Sequence, residues 1–181
     1  MKMVFKRLFD ESEFLSDFGI RSMSKFHLEN PYHFNLHGEN LNVTYTPGES
    51  DLTIMGGNSN WRGPVWFPLN YLIIDSLHKY SKYYGEEYEV EYPTNSGEIM
   101  SIREATLQIS ERLINLFKKG KNGEKPFMGG NVKLNEDKEF TDYYHFFEYF
   151  HGDNGKGLGA AHQTGWTGLV ADLIQEVSEK K

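Results

Sequence analysis

The chain has no cysteine among its 181 residues. Disulfides, thiolate nucleophiles and thiolate metal ligands are therefore excluded, although that absence identifies no compartment. No apolar run approaches the length of a membrane span. Positive charge is scarce: 19 Lys and Arg face 26 Asp and Glu, a formal net charge of −7. Nucleic acids and anionic membranes bind through basic patches, so neither is expected as a partner. The opening residues, Met1 to Phe9, turn acidic at Asp10 and Glu11 too soon for a secretory signal, and a cytoplasmic protein is expected. The sequence also lacks internal repeats at solenoid spacing and low-complexity tracts.

Rings and glycine are plentiful, with 15% aromatic residues and 18 glycines. Such a composition is common where planar groups stack on ligands; a core simply rich in Tyr and Phe is the alternative. The length suits a single domain over 1–181 and is short for two.

Taken in order, residues 1–30 read as weakly helical, and Asn30-Pro31 ends that segment. Phe34 and Leu36, then Leu41, Val43 and Tyr45, alternate about Gly38-Glu39-Asn40 and predict a β-hairpin. A polar loop follows, centred on Gly56-Gly57-Asn58-Ser59-Asn60. Pro64 suits the start of a helix whose apolar positions are Trp66, Leu69, Ile73, Leu77 and Tyr80 and which ends near Tyr84-Gly85. Ser101 or Ser96 caps the next, with Ile102, Ile109, Leu113, Leu116 and Phe117 in one stripe. After a loop over 120–135, a helix capped by Asn135 is expected through Phe150. A last helix starts near Thr164 to Thr167, with Leu169, Val170, Leu173, Ile174 and Val177 facing inward. The pattern predicts a mainly α domain with one small β-hairpin near the N-terminus.

The stretch from Phe147-Glu148-Tyr149-Phe150 through a glycine-rich loop to Thr164-Gly165-Trp166-Thr167 carries the chemistry. Glu148 among Phe147, Tyr149 and Phe150 is expected to be partly desolvated, which raises a carboxylate's basicity. Flat apolar surfaces beside one carboxylate suit cleavage of a sugar. Gly155-Lys156-Gly157-Leu158-Gly159-Ala160 fits a dinucleotide fingerprint only loosely, since no strand is predicted before it, and Asp153-Asn154-Gly155 lacks the ligands of a calcium loop. His145, His151 and His162 match no familiar zinc spacing, so neither metal nor cofactor is expected. Asp153 and His162 either line a site or brace the loop. The second site motif is Trp61-Arg62-Gly63-Pro64-Val65-Trp66, two indoles and a guanidinium within six residues.

That motif, followed by Asn70-Tyr71-Leu72, resembles one of the six-hairpin α/α-toroid glycosidases, the group of processing α-glucosidase I and the mannosylglycerate-hydrolase-like enzymes. Glu148 to Gly155 and Thr164 to Thr167 resemble the same group's C-terminal signature, and the trehalase ending. The resemblance implies an incomplete α/α toroid of helical hairpins, the C-terminal portion of an inverting exo-acting α-glycosidase. It implies Glu148 as general base, with Trp61, Arg62 and Trp66 shaping a sugar subsite that Gln163 and Trp166 help close. The family's general acid is an aspartate upstream of the tryptophan-arginine motif; Asp51 and Asp75 do not match it. The implied partners are a carbohydrate (an α-glycoside) and either the upstream toroid segment or a second copy meeting an exposed apolar surface. A carbohydrate-binding or helical interaction domain without catalysis is the rival reading. On the leading one, Glu148 and the tryptophan-arginine turn border one sugar-sized hollow.

Overall fold

The computed structural model describes residues 1–51, 60–120 and 123–179, the side chain of Val132 excepted. The expected polar loop centred on 56–60 lies outside the described residues, apart from Asn60. Helix α1 (Lys2–Leu8) opens the chain. The short strands β1 (Leu15–Ser16) and β2 (Gly19–Ile20) follow as a tight antiparallel pair, then a single 3-10 turn over Lys25–Leu28 capped by the Ser24 hydroxyl. The weak helix expected over 1–30 is thus confined to its first turns. Tertiary partners override local propensity here, because the amide of Asn70 takes both backbone groups of Ile20. Its Oδ1 accepts the Ile20 N–H at 2.7 Å, and its Nδ2 donates to the Ile20 carbonyl at 2.9 Å.

The expected hairpin is β3 (Tyr32–Leu36) against β4 (Glu39–Val43), in register from Tyr32–Val43 to Leu36–Glu39. Its turn is His37-Gly38, both at positive φ (52° and 88°), the combination a two-residue hairpin turn demands. Helix α2 (Phe67–Tyr84) begins later than the proline suggested. Val65 is held extended by an antiparallel bridge to Phe150, so the helix opens after Trp66, with Pro68 in its first turn. The stripe it buries is Phe67, Asn70, Ile74, Leu77 and Ser81, not the one read from apolarity, and Leu69 and Tyr80 stay exposed. Two polar residues inside that stripe hid it.

Strands β5 (Glu89–Glu91) and β6 (Ile99–Ser101) form a third small antiparallel pair. Helix α3 (Ile102–Asn115) follows, and its Ser101–Glu104 capping box satisfies two of the donors a helix start leaves open. Instead of one helix to Phe150, the chain makes α4 (Val132–Glu136) and α5 (Lys138–Thr141), separated by Asp137, which is extended and caps the second. Beyond them, residues 145–150 form no helix and pair with the chain at 160–163: the Gln163 N–H donates to the Phe146 carbonyl at 2.8 Å, and the Glu148 N–H to the Ala160 carbonyl at 2.9 Å. Strands β7 (Tyr149–Phe150) and β8 (Gly157–Leu158) pair across the glycine loop. An almost unbroken aromatic run shows apolar spacing at every period, and rings suit strands better than helices. Helix α6 (Thr164–Thr167) and α7 (Val170–Glu179) complete the described chain; Val170, Leu173 and Val177 are buried, whereas Ile174 is exposed.

The architecture is therefore mixed α/β, which corrects the mainly α, toroidal expectation. Among the described residues four two-stranded antiparallel sheets stand beside the helices, where one hairpin was predicted. Helices α2, α3 and α7 pack side by side. Phe5, Phe9, Leu15, Ile20, Val65, Phe67, Ile109, Leu113, Phe150 and Leu173 share one apolar core with them.

A second polar hub closes the loop after β7. Asp153 Oδ1 accepts from Tyr45 Oη at 3.0 Å, from buried Arg21 Nη2 at 3.1 Å and from Lys25 Nζ at 3.4 Å. Burial alone would raise the Asp153 carboxyl, but the Tyr45 hydrogen bond and the two cations outweigh it and hold it below its ordinary value. The Asp153 N–H donates to His151 Nδ1 at 3.1 Å. Burial lowers His151, against Asp153 and together with the charge of Lys156.

Two outcomes follow. Asn70→Leu strips Ile20 of both backbone partners in a buried place and should cost about 2–4 kcal/mol in urea unfolding. His151 and His145, both held low chiefly by burial, take up protons in the unfolded chain near pH 6.5 and in the folded chain only below that. The unfolded state then binds more protons, so stability should fall as pH drops below about 6.5. Asp153 acts in a lower window: its contribution is present above about pH 3.9 and is lost as pH falls through its folded value. Urea midpoints at pH 7.5 and 5.5 check the histidine part, and His151→Asn, which keeps an acceptor near Nδ1, should flatten the difference.

Candidate active site

The two motifs singled out in the sequence meet through backbone. The Val65 N–H donates to the Phe150 carbonyl at 2.8 Å and the Phe150 N–H returns the bond to Val65 at 2.9 Å. Gly152 lies so close to Gly63 that a Cβ on it would stand 2.4 Å from the Gly63 carbonyl oxygen. Ser22 steadies the first motif from the other side: its Oγ accepts the Gly63 N–H at 3.0 Å and its N–H donates to the Pro64 carbonyl at 3.0 Å.

Side chains follow from that join. Trp61 and Trp66 stack face to face, with ring centres 4.0 Å apart and planes 3° from parallel. Tyr149 stacks on Trp66 at 4.7 Å, and Trp166 meets Trp66 edge-on at 6.4 Å. Trp66 and Tyr149 are buried, and the Trp66 indole donates to the Asn60 carbonyl at 2.9 Å. Ligand-accessible indole is thus confined to Trp61 and Trp166, 38% and 39% exposed. Half-buried Glu148 sits beside this cluster, because the Trp166 indole donates to its carbonyl at 3.0 Å. Its Oε2 accepts the Ala160 N–H at 3.4 Å and lies over Gly159, where a Cβ would come within 2.6 Å of it. Gly159 also has φ 68°, so glycine suits this position on both counts.

Arg62 and Gln163 are placed differently. Arg62 is buried and pairs with Asp51, whose carboxyl that hydrogen bond holds below its ordinary value. Gln163 is exposed at the start of α6, where its carbonyl accepts the Trp166 and Thr167 N–H groups at 3.0 and 2.9 Å. His162 faces His145, ring centres 6.4 Å apart. Burial first, then the charges of His162 and Lys125, lower His145. Asp153 belongs to the hub with Arg21 and Tyr45.

A hollow of about 690 Å³ opens at Trp61 and Trp66, but most of its other lining comes from α1 and α2, Val4, Phe5, Leu69, Ile73 and Tyr80 among it, with the chain at Ile20 to Ser22 completing the wall. Glu148 does not line it. The expected shared hollow therefore resolves into an aromatic stack with the acid beside it and an apolar groove on another side.

Three residues that the sequence did not single out build the stack. Asn60, wholly buried, donates from Nδ2 to the carbonyls of Thr46 and Gly48 at 2.5 and 2.8 Å, and its Oδ1 accepts the Arg62 N–H at 3.0 Å. It ties the chain around Pro47 to the tryptophan-arginine turn. Tyr149 donates from Oη to Glu49 Oε2 at 2.7 Å. Burial, that bond, and the charges of Glu49 and Glu148 push the Tyr149 phenol well above its ordinary value. Only the place of Tyr149 beside Glu148 was a signal; nothing in the local sequence marks Glu49 or Asn60.

Comparison with known proteins bears on the family of the chain. Residues 1–96, over half of the chain, match the glycosyl hydrolase family 63 C-terminal domain. An uncharacterized protein of Saccharomyces cerevisiae is 48% identical over 176 residues, covering 96% of this chain and 16% of that protein. The mannosyl-oligosaccharide glucosidase of the same yeast is 26% identical over 116 residues, 63% of this chain and 11% of the relative. A probable mannosyl-oligosaccharide glucosidase of Schizosaccharomyces pombe is 25% identical over 171 residues, 94% of this chain and 15% of the relative. The chain spans at most about a sixth of the length of these relatives. With over half its length in that match, including the tryptophan-arginine turn, the chain belongs to glycosyl hydrolase family 63.

Proposed function

We propose that this chain is a single-domain C-terminal portion of an inverting, exo-acting α-glycosidase and supplies its general base, Glu148. The observation that carries the reading is the Val65–Phe150 join, which brings Glu148 next to the Trp61–Trp66–Tyr149 stack, with its backbone carbonyl bonded to the Trp166 indole. Family membership and the glucosidase relatives support an α-linked glucosyl oligosaccharide as the substrate class. Glu148 takes a proton from water as that water attacks the anomeric carbon. The glycosidic bond breaks on the opposite face, and a second carboxylic acid gives its proton to the departing oxygen. In an inverting enzyme the two carboxyls stand roughly 6.5–9.5 Å apart to leave room for the water. We place the acid on a partner segment of the longer polypeptide, which would also cover the groove between α1 and α2. Trp61 and Trp166 offer faces to the sugar; Trp66, Arg62 and Gln163 hold those faces in position. Among the described residues no helix is long and apolar enough to cross a membrane.

The exposed indoles of Trp61 and Trp166 would serve equally in one rival, a carbohydrate-binding domain without catalysis. The two separate in one experiment on a preparation joining this chain to the acid-bearing segment, assayed on α-glucosides and α-mannosides. Glu148→Gln should lower kcat by about 10²–10⁴-fold with KM and the unfolding midpoint little changed, and the first product anomer seen by NMR should be inverted. An unchanged kcat removes Glu148 from the chemistry. Sugar binding that survives Glu148→Gln but disappears in Trp61→Ala, with no turnover in the unsubstituted protein, establishes the rival.

A further inference from the structure

We propose that Glu49 is a second ligand-facing carboxylate of this site, accepting hydroxyls of the bound sugar, and that Tyr149 is the residue that positions it. The inference rests on the sugar-site reading above and adds a specificity-determining residue to it.

The turn carrying Glu49 is built rather than loose. Asn60 holds the Thr46 and Gly48 carbonyls, the Gly152 N–H donates to the Pro47 carbonyl at 3.0 Å, and the Thr46 N–H donates to the Arg62 carbonyl at 2.6 Å. Both motifs of the site therefore grip the residues just before Glu49. The side chain is exposed, yet one of its oxygens is fixed by the phenol of a wholly buried tyrosine. That phenol is locked in rotation by the Trp66 ring stacked on it.

A buried phenol needs an acceptor, and a neutral carbonyl would serve without bringing a charge. A carboxylate here instead places a second negative group near Glu148, and both act electrostatically on Tyr149. Gathering like charges costs stability, which is the kind of cost that binding sites carry. Among the described residues no lysine or arginine forms an ion pair with Glu49 that would explain it as a structural bridge. With Oε2 engaged by Tyr149, the carboxylate is oriented on a residue that stays exposed. One oriented carboxylate at the Tyr149 end of the aromatic stack, on the same tyrosine whose phenol also feels Glu148, is suited to accept a sugar hydroxyl.

The test is a coupling measurement on the preparation that joins this chain to the acid-bearing segment, carrying Glu148→Gln throughout to prevent turnover, with affinity read by NMR titration or calorimetry. The probes are methyl α-D-glucopyranoside and its 2-, 3-, 4- and 6-monodeoxy analogues. If Glu49 accepts a hydroxyl, Glu49→Ala should weaken the parent sugar by about tenfold or more, as for a hydrogen bond to a charged group. It should leave unchanged the affinity of the one analogue that lacks that hydroxyl. Tyr149→Phe, which keeps the stacked ring and removes the donor, should show the same selective pattern with a smaller loss. Equal affinities with and without Glu49→Ala for all five sugars would overturn the assignment while leaving the sugar site standing. So would a uniform loss across all five, the mark of a structural role. No binding of any probe by the preparation with Glu49 and Tyr149 intact would bring down the sugar-site reading, and Glu49 with it.

Discussion

Two backbone hydrogen bonds between Val65 and Phe150 set the position of almost everything chemical in this chain. Eighty-odd residues separate the partners in sequence, and the bonds bring a tryptophan-rich turn and an acid-bearing strand within one ring thickness of each other. The pair is short and buried, so its groups have no water to turn to if it opens. Trp66 then follows Val65 into the stack, and Tyr149 precedes Phe150 on the other side of it. Glu148 lies in a bend just before β7, and its side chain and that of Tyr149 leave the chain in different directions. One goes into the ring stack and the other toward Gly159 and Ala160.

Much of the site was legible because its residues are rare and tightly spaced. The Trp61–Trp66 motif and the Glu148–Trp166 stretch were each visible as unusual chemistry, and the structure packs Trp61, Trp66, Trp166 and Glu148 together. Helix α3 was equally readable, with Ser101 and Glu104 writing its start in capping chemistry. The misreadings share a cause. Where polar residues are buried, as with Asn70 in α2, the apolar stripe shifts away from the face that faces the core. Where nearly every residue is aromatic, as from Tyr143 to Phe150, periodicity carries no information, and long-range pairing decides for strand.

The fold class failed for the same reason at a larger scale. Among the described residues the four two-stranded sheets, most only two or three residues per strand, leave almost no alternation to read. Each pairs strands consecutive in the chain, but long-range polar ties, which local preference does not show, hold segments of the fold together. Asn60, Asn70 and the Arg21–Asp153 pair each tie segments far apart in sequence. Such residues look like ordinary loop or surface polar groups until their partners are known.

The parallel indoles of Trp61 and Trp66 have one more consequence, an optical one. Two chromophores 4.0 Å apart and 3° from parallel share their excited states, so their near-ultraviolet circular dichroism belongs to the pair and not to either ring. The chain has three tryptophans in all, and the third touches the same cluster. Its ellipticity between roughly 280 and 300 nm is thus a spectroscopic signature of the site alone, silent about the helices, and it should fade as soon as the rings part.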